Sequence, residues 1–290
     1  MKNLFTAKHI LVQGITGTHG SFQTRAMIAA GTNVVAGTTP GKGGRFVENV
    51  PVYNTVANAQ SHHPIDTTII FVPAPFAKGA ILEAIESHIP LIVVITENIP
   101  VHDMLVIRKR LIELGSISTL LGPNSPGALV PGFNKLGIIP AGMSLPGKMA
   151  IVSRSGTLTY ETMAELTARS IGQRYVIGIG GDQIHGMGFI DCLQLFESDP
   201  EVDRIILIGE IGGSEELEAA EYISHSVSKP VYAYIAGHHA PAGVQLGHAG
   251  AILGSEKESA KSKTEALKKA GAHTAPSITR LITKVANDLL

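Results

Sequence analysis

The stretch QLGHAGAIL, residues 245–253, sets one imidazole, His248, among small and aliphatic residues with Gly247 and Gly250 close on either side. A core histidine needs no glycine beside it, and a metal site ordinarily shows a second ligand nearby in sequence. Glycines let a loop approach something bulky and let it move. Such a histidine can act as a nucleophile toward phosphorus when an anion site and an orienting carboxylate stand near it. The chain offers a candidate for each. In SRSGTLTYE, residues 153–161, an apolar run turns into a helical pattern. Ser153, Ser155, Gly156 and Thr157 there supply hydroxyls and backbone N–H groups at a helix start, a phosphate-sized anion site. A plain N-cap would use only one of these hydroxyls. GEIGG, residues 209–213, ends an apolar run with one carboxylate, Glu210. A carboxylate in that place can orient an imidazole and stabilise its cation, or it is simply a solvated strand-end acid. His238 and His239 raise the question of a metal cluster, but no cysteine or H-x₃-H spacing accompanies them, and no metal is expected.

A second group of candidates lies near the start. QGITGTHGSF, residues 13–22, places Gly14, Gly17 and Gly20 after an apolar run and before a helical one. Such a turn cradles an anion at a helix N-terminus, or it is a tight packing turn. The spacing G-x-x-G-x-x-G is not the dinucleotide fingerprint. Where a nicotinamide site would put an acid for the ribose, GTTPGKGG (residues 37–44) puts Lys42. A phosphate-bearing ligand other than NAD fits better. The same stretch fails the P-loop spacing, so no ATP site of that type is expected. VPAPF (72–76), with Pro73, and ITENIP (95–100) follow two further apolar runs. They either shape a slot for a flat or extended ligand or are ordinary loop residues.

These residues need elements to hold them. HILVQG, TNVVAG, TTIIFVP, LIVVIT and STLLGP read as buried strands. FQTRAMIAA, YNTVANAQ, AKGAILEAIESH and VHDMLVIRKRLIELG between them read as helices. Alternation of this kind gives a parallel sheet with helical crossovers, here over residues 1–125. Residues 122–147 hold five prolines and six glycines, which excludes a long helix; we assign 126–147 to a connection. A second alternating series fills 148–290: strands MAIVSRSG, RYVIGIGG, RIILIGEIGG, PVYAYIAG and AGAILG, with helices from Thr157 to Arg169 and over FIDCLQLFES and EELEAAEYISHS. A helical end broken near Pro276 follows. In open sheets of this kind ligands bind beyond the C-terminal ends of the strands, which is where every candidate above falls.

The composition sets outer limits. A net charge of −1 over 290 residues gives no reason to expect nucleic acid or an anionic membrane as partner. The single cysteine, Cys192, rules out an internal disulfide and fits a reducing compartment. No signal-peptide pattern opens the chain, and no apolar run is long enough to span a bilayer.

GITGTHG, TTPGKGG, VPAPF, ITENIP, GPNSPG, SRSGTLTYE, GIGGD, GEIGG and GHAGAI occur in this order along nearly the whole chain. As a set they resemble the α subunits of succinyl-CoA synthetase (succinate–CoA ligase). The resemblance implies an α/β fold: an N-terminal Rossmann-like CoA-binding domain and a C-terminal flavodoxin-like doubly wound ligase domain. It implies reversible formation of succinyl-CoA from succinate, coenzyme A and a nucleoside triphosphate, through an acyl phosphate and a phosphohistidine. His248 would carry the phosphoryl group and Glu210 would hold it. Thr16, Gly17, Thr18, His19, Lys42, Pro73, Ile95, Thr96, Glu97, Asn124 and Ser125 would line the coenzyme A site. Ser153, Ser155 and Gly156 would serve phosphate, and Tyr160 the acid substrate. An ATP-grasp β subunit would bind Mg-ATP or Mg-GTP, and the setting would be bacterial or archaeal cytoplasm or an organelle matrix.

Three departures bear on this. The family motif is usually GPNCPG, and Ser125 replaces its cysteine. GIGGD continues Gln183-Ile184-His185 rather than Pro-Ile. The loop before His248 carries no Lys or Arg. A ligase for malate or another dicarboxylate, or a non-catalytic coenzyme A-binding paralogue, are the alternatives. The paralogue should show a damaged second half, yet SRSGT, GEIGG and GHAGA are intact. A nicotinamide oxidoreductase is opposed by Lys42.

Overall fold

The computed structural model describes residues 7–238 and 247–289. The chain forms two compact units, Met1–Ile139 with Ile184–Gly186, and Pro140–Gln183 with Met187–Leu290. Each has its own parallel sheet.

The first unit runs β1 (Ile10–Gln13), α1 (Thr18–Ala29), β2 (Val34–Thr38), β3 (Phe46–Val47), β4 (Val50–Tyr53), α2 (Val56–Gln60), β5 (Thr67–Ile70), α3 (Ala74–Glu86), β6 (Leu91–Val94), α4 (Val101–Glu113) and β7 (Thr119–Leu121). The sheet order is β3-β4-β2-β1-β5-β6-β7, parallel except for the β3–β4 pair. Strands β1, β5 and β6 are fully buried runs, as strands covered by helices on both faces must be. Leu11, Ile70 and Ile92 of the sheet pack with Ile81 and Ile85 of α3 and Ile107 of α4. The order reverses at β1, whose neighbours are β2 and β5. That reversal opens a crevice at the strand ends.

Two expectations change here. YNTVANAQ is not all helix: Tyr53 ends β4, and α2 starts only at Val56, where Thr55 accepts a capping bond from the Asn58 N–H at 3.1 Å. The Pro/Gly-rich stretch is not a plain connection either. It folds into a hairpin, β8 (Gly127–Val130) against β9 (Asn134–Gly137), whose residues are all buried. Within the first unit, Asn134 donates its amide to the Ala7 carbonyl at 2.6 Å. The Thr32 hydroxyl donates to the Lys135 carbonyl and accepts from the Lys135 N–H at 3.0 and 2.9 Å. Prolines 126 and 131 flank β8, where no ladder bond is needed from them.

The second unit holds β10 (Pro146–Ser153), α5 (Gly156–Ala168), β11 (Gln173–Gly178), α6 (Phe189–Ser198), β12 (Arg204–Glu210), α7 (Glu215–Ser226), β13 (Val231–Ala236), α8 (Ala260–Lys269), β14 (His273–Thr274) and α9 (Ile278–Asn287). Its strands run in the order β14-β13-β12-β10-β11, all parallel. Ile151, Val176, Leu207 and Phe196 are at or near zero exposure in its core. AGAILG, expected as a strand, is an irregular segment with one bridge residue, Ile252. Among the described residues no helix is long and apolar enough to cross a membrane.

Candidate functional site

In the second unit the sheet order reverses at β10, between β11 and β12, and the ends of these three strands build one site. β12 ends in Glu210. The loop after β11 brings Gly181 and Asp182, and the residue after β10 is Arg154. Against them lies the loop carrying His248. Its imidazole Nδ1 is 2.7 Å from Glu210 Oε2. With that N–H donated to the carboxylate, the lone pair sits on Nε2, the nitrogen turned away from Glu210. The His248 side chain keeps 26% of its exposure while Glu210 keeps 9%, so the acid is enclosed and the imidazole is reachable. The bond to Glu210 holds the His248 pKa above its ordinary 6.5; burial opposes this, and Arg154 opposes it more weakly.

The glycines around His248 now have a reason. A Cβ on Gly181 would stand 2.2 Å from His248 Cγ and 2.5 Å from Nδ1. Gly212 has φ +85°, and a Cβ there would meet the Gly250 carbonyl oxygen at 2.1 Å. The Gly250 N–H bonds the Gly181 carbonyl at 3.0 Å, and the Gln183 side-chain amide donates to the Ala249 carbonyl at 3.3 Å. The histidine loop is thus laid backbone against backbone on its neighbours. Residues 239–246, including His239 and most of the loop without Lys or Arg, lie outside the described residues. Among the described residues no cluster of three or more His, Cys, Asp or Glu could hold a metal ion.

Behind this pair is a set of buried charges with no part in the motif reading. Arg154 Nε faces Glu210 Oε1 at 3.4 Å, and its NH1 lies 3.9 Å from Glu216 Oε1. Glu216 of α7 pairs with Lys263 of α8, both fully buried. Breaking a pair like this strands a charge, at a cost of about 3–5 kcal/mol. Lys263 carried one sequence signal: it shares the buried face of α8 with Ala260 and Leu267, an odd place for a lysine.

The helix start in SRSGT is real, but its hydroxyls are spent locally. Ser155 is the N-cap of α5 and accepts from the Leu158 N–H at 3.3 Å. Ser153 is fully buried; it donates to the Ser155 carbonyl at 2.9 Å and accepts from the Ser155 N–H at 3.1 Å. Ser153 therefore braces the turn. Gly156 and Thr157 open the first turn of α5 with the N–H groups that remain for an anion. Tyr160, half-buried on the same turn, has its phenol pKa pushed up by burial and stays neutral.

The first unit gathers the other candidates at its own reversal point. Gly17 is the N-cap of α1 and offers no side-chain cap, so the first amides of α1 are left for a ligand. Gly17, Thr18 and His19 are exposed. The Thr16 hydroxyl donates to Thr39 Oγ1 at 3.1 Å, tying this turn to the loop that carries Lys42. Pro73 is the exposed N-cap of α3, across the crevice from the β1 turn. Ile95, Thr96 and Glu97 follow β6; the Thr96 hydroxyl bonds the Val72 carbonyl at 2.7 Å, and Asn124, at φ +52°, donates its N–H to the Thr96 carbonyl at 2.9 Å. Ser125 is 2% exposed and accepts the Gly127 N–H at 2.9 Å, so it shapes the turn. An uncapped helix start, a lysine and a chain of loop ends suit a long phosphate-bearing ligand.

Known proteins resemble both halves of the chain. A CoA-binding domain matches residues 5–98 and a CoA-ligase domain matches residues 152–273. A succinate–CoA ligase (ADP-forming) α subunit from Aquifex aeolicus is 52% identical over 264 residues, 91% of this chain and 87% of that one. One from Methanothermobacter thermautotrophicus is 52% identical over 262 residues, 90% of this chain and 88% of that one. Among solved structures, ATP citrate lyase from Methanothrix soehngenii, in complex with citrate and coenzyme A, superposes with a TM-score of 0.86 at 25% identity. The match takes in 98% of this chain and 50% of the lyase chain.

Proposed function

This chain belongs to the family of succinate–CoA ligase α subunits, and from that premise we propose that it is the phosphohistidine-bearing half of an enzyme joining succinate to coenzyme A. The observation that carries the reading is the 2.7 Å contact between His248 Nδ1 and Glu210 on a loop held in place by glycine backbone. In the thioester-cleaving direction, a phosphate oxygen attacks the thioester carbonyl, the C–S bond breaks, and the coenzyme leaves as its thiolate. Nε2 of His248 then attacks the phosphorus of the acyl phosphate. The P–O bond breaks and the carboxylate leaves. Transfer of the same phosphoryl group to a nucleoside diphosphate breaks the P–N bond and restores the imidazole.

Each step has residues suited to it. The coenzyme's phosphates are met by the α1 N-terminus at Gly17, Thr18 and His19 and by Lys42, with Pro73, Ile95, Thr96, Glu97 and Asn124 along its length. Glu210 keeps the Nδ1 proton and offsets the positive charge that grows on the ring as Nε2 bonds phosphorus. The free amides at Gly156 and Thr157 face the phosphoryl oxygens, and Tyr160 contacts the acid. The nucleotide, as Mg-ATP or Mg-GTP, belongs to a β subunit with an ATP-grasp fold. The names of the relatives favour succinate and ADP, and their bacterial and archaeal sources favour a prokaryotic cytoplasm.

The test is mass spectrometry of the chain after incubation with a matched β subunit, Mg²⁺ and ATP or GTP, kept alkaline because phosphohistidine is acid-labile. One phosphate is expected on the peptide containing His248, lost on adding succinate and coenzyme A and absent from His248→Asn. No phosphate with either nucleotide would refute the relay. Removal by malate and not by succinate would move the substrate to the other dicarboxylate.

A further inference from the structure

We propose that Lys263 and Glu216 are positioning residues for the phosphoryl-accepting histidine: they clamp the backbone on both sides of Glu210 so that its carboxylate meets His248. This deepens the proposed function and rests on it. The clamp has three contacts. Glu216 Oε1 accepts the Glu210 N–H at 3.1 Å. Lys263 Nζ donates to the Glu210 carbonyl at 2.8 Å and to the Gly212 carbonyl at 2.5 Å. The two side chains also pair with each other and are wholly shielded from solvent. One comes from α7 and the other from α8, so two helices fix the end of one strand.

A fully buried ion pair is weak evidence of stability, because apolar residues of the same size would serve the core as well or better. Its contacts here are spent on one strand end. All three backbone bonds go to Glu210 or to Gly212, the residue whose close approach lets the Gly250 backbone lie down. Among the described residues, two further charged groups act on the dyad. Arg154 reaches Glu210 Oε1 from the end of β10, and Asp182 acts on His248 from the loop after β11. Lys263 and Glu216 carry opposite charges, so the pair itself adds no net charge beside the imidazole. The imidazole must be neutral for Nε2 to attack phosphorus. The clamp therefore sets geometry without biasing the charge.

Lys263→Met alone strands Glu216 and can fail to fold. The informative variant is Glu216→Gln with Lys263→Met, which removes both charges and keeps an oxygen for the Glu210 N–H. Two readouts are needed. The first is the imidazole titration of His248 by NMR in the full-length chain, identified by its loss in His248→Asn. The second is the rate of His248 phosphorylation in the complex with the β subunit. The double variant should titrate lower than wild type, in the direction of Glu210→Gln. It should phosphorylate about 10- to 100-fold more slowly, as expected for a catalytic group displaced by a fraction of an ångström to one ångström. Its affinity for coenzyme A should be unchanged. A folded double variant with the wild-type titration and rate would overturn the clamp. If wild-type His248 takes up no phosphate, the relay fails; the titration comparison still decides whether the pair positions Glu210.

Discussion

Replacing Gly181 by alanine tests the geometry of the site with a single methyl group. The new Cβ would lie 2.2 Å from His248 Cγ, 2.5 Å from Nδ1 and 2.6 Å from Cδ2, where ordinary contacts begin at 3.4 Å. The ring must retreat by roughly an ångström, and the 2.7 Å bond to Glu210 cannot survive that shift without further rearrangement. A hydrogen bond to a charged group is worth about 1.5–3 kcal/mol, and an ångström of misplacement costs about 100-fold in rate. Both routes give a fall of about 10- to 150-fold in phosphorylation of His248. Rapid-quench phosphorylation of the α–β complex, with coenzyme A binding measured alongside, is the assay. The residues proposed to hold coenzyme A belong to the first unit and should be untouched. If Gly181→Ala phosphorylates at the wild-type rate, close packing of this glycine does not hold the imidazole on its carboxylate.

The pH dependence follows from the raised His248 pKa. Only the neutral ring attacks phosphorus, so the acidic limb of phosphorylation should lie above pH 6.5 and move down in Glu210→Gln. In linkage terms, the extra stability that a protonated His248 gains beside Glu210 is full below the unfolded value near 6.5 and is lost as pH rises through the folded one; the stability gap between wild type and Glu210→Gln, read by urea titration, should narrow toward alkaline pH. Ser125→Ala removes the acceptor of the buried Gly127 N–H and should destabilise the chain by about 1–3 kcal/mol, read as a lower denaturation midpoint with little loss of coenzyme A affinity. Gly79→Ala, in the middle of α3 with open space where the methyl would go, should raise stability by about 0.5–1 kcal/mol and leave the rate unchanged.

The sequence made the strand–helix alternation plain because β1, β5, β6 and the core of β10 are short apolar runs that only a covered parallel sheet produces. It also brought His248 and Glu210 into one argument, since each is a chemical group isolated among glycines. The β8–β9 hairpin was hidden because Pro and Gly exclude a helix without excluding strands whose prolines sit at the ends. The bracing of the turn by Ser153 is not legible in sequence, because a hydroxyl at a helix start looks the same whether it faces a ligand or its own turn; the two bonds to Ser155 appear only in the fold. Arg154, Glu216 and Lys263 were out of reach for a different cause. Lys263 meets Glu216 47 residues away, and nothing local in either helix names its partner.

With a serine at position 125, Cys192 is the one thiol in the chain. Cys192 has no exposure, and burial pushes its pKa well up. A thioester handled by this chain therefore meets no thiolate of the chain itself. The acyl group cannot be diverted onto the subunit by exchange, and oxidised coenzyme A cannot cap it as a mixed disulfide. A protein whose work is to make and break the bond to one particular sulfur has kept its own sulfur chemistry out of the reaction.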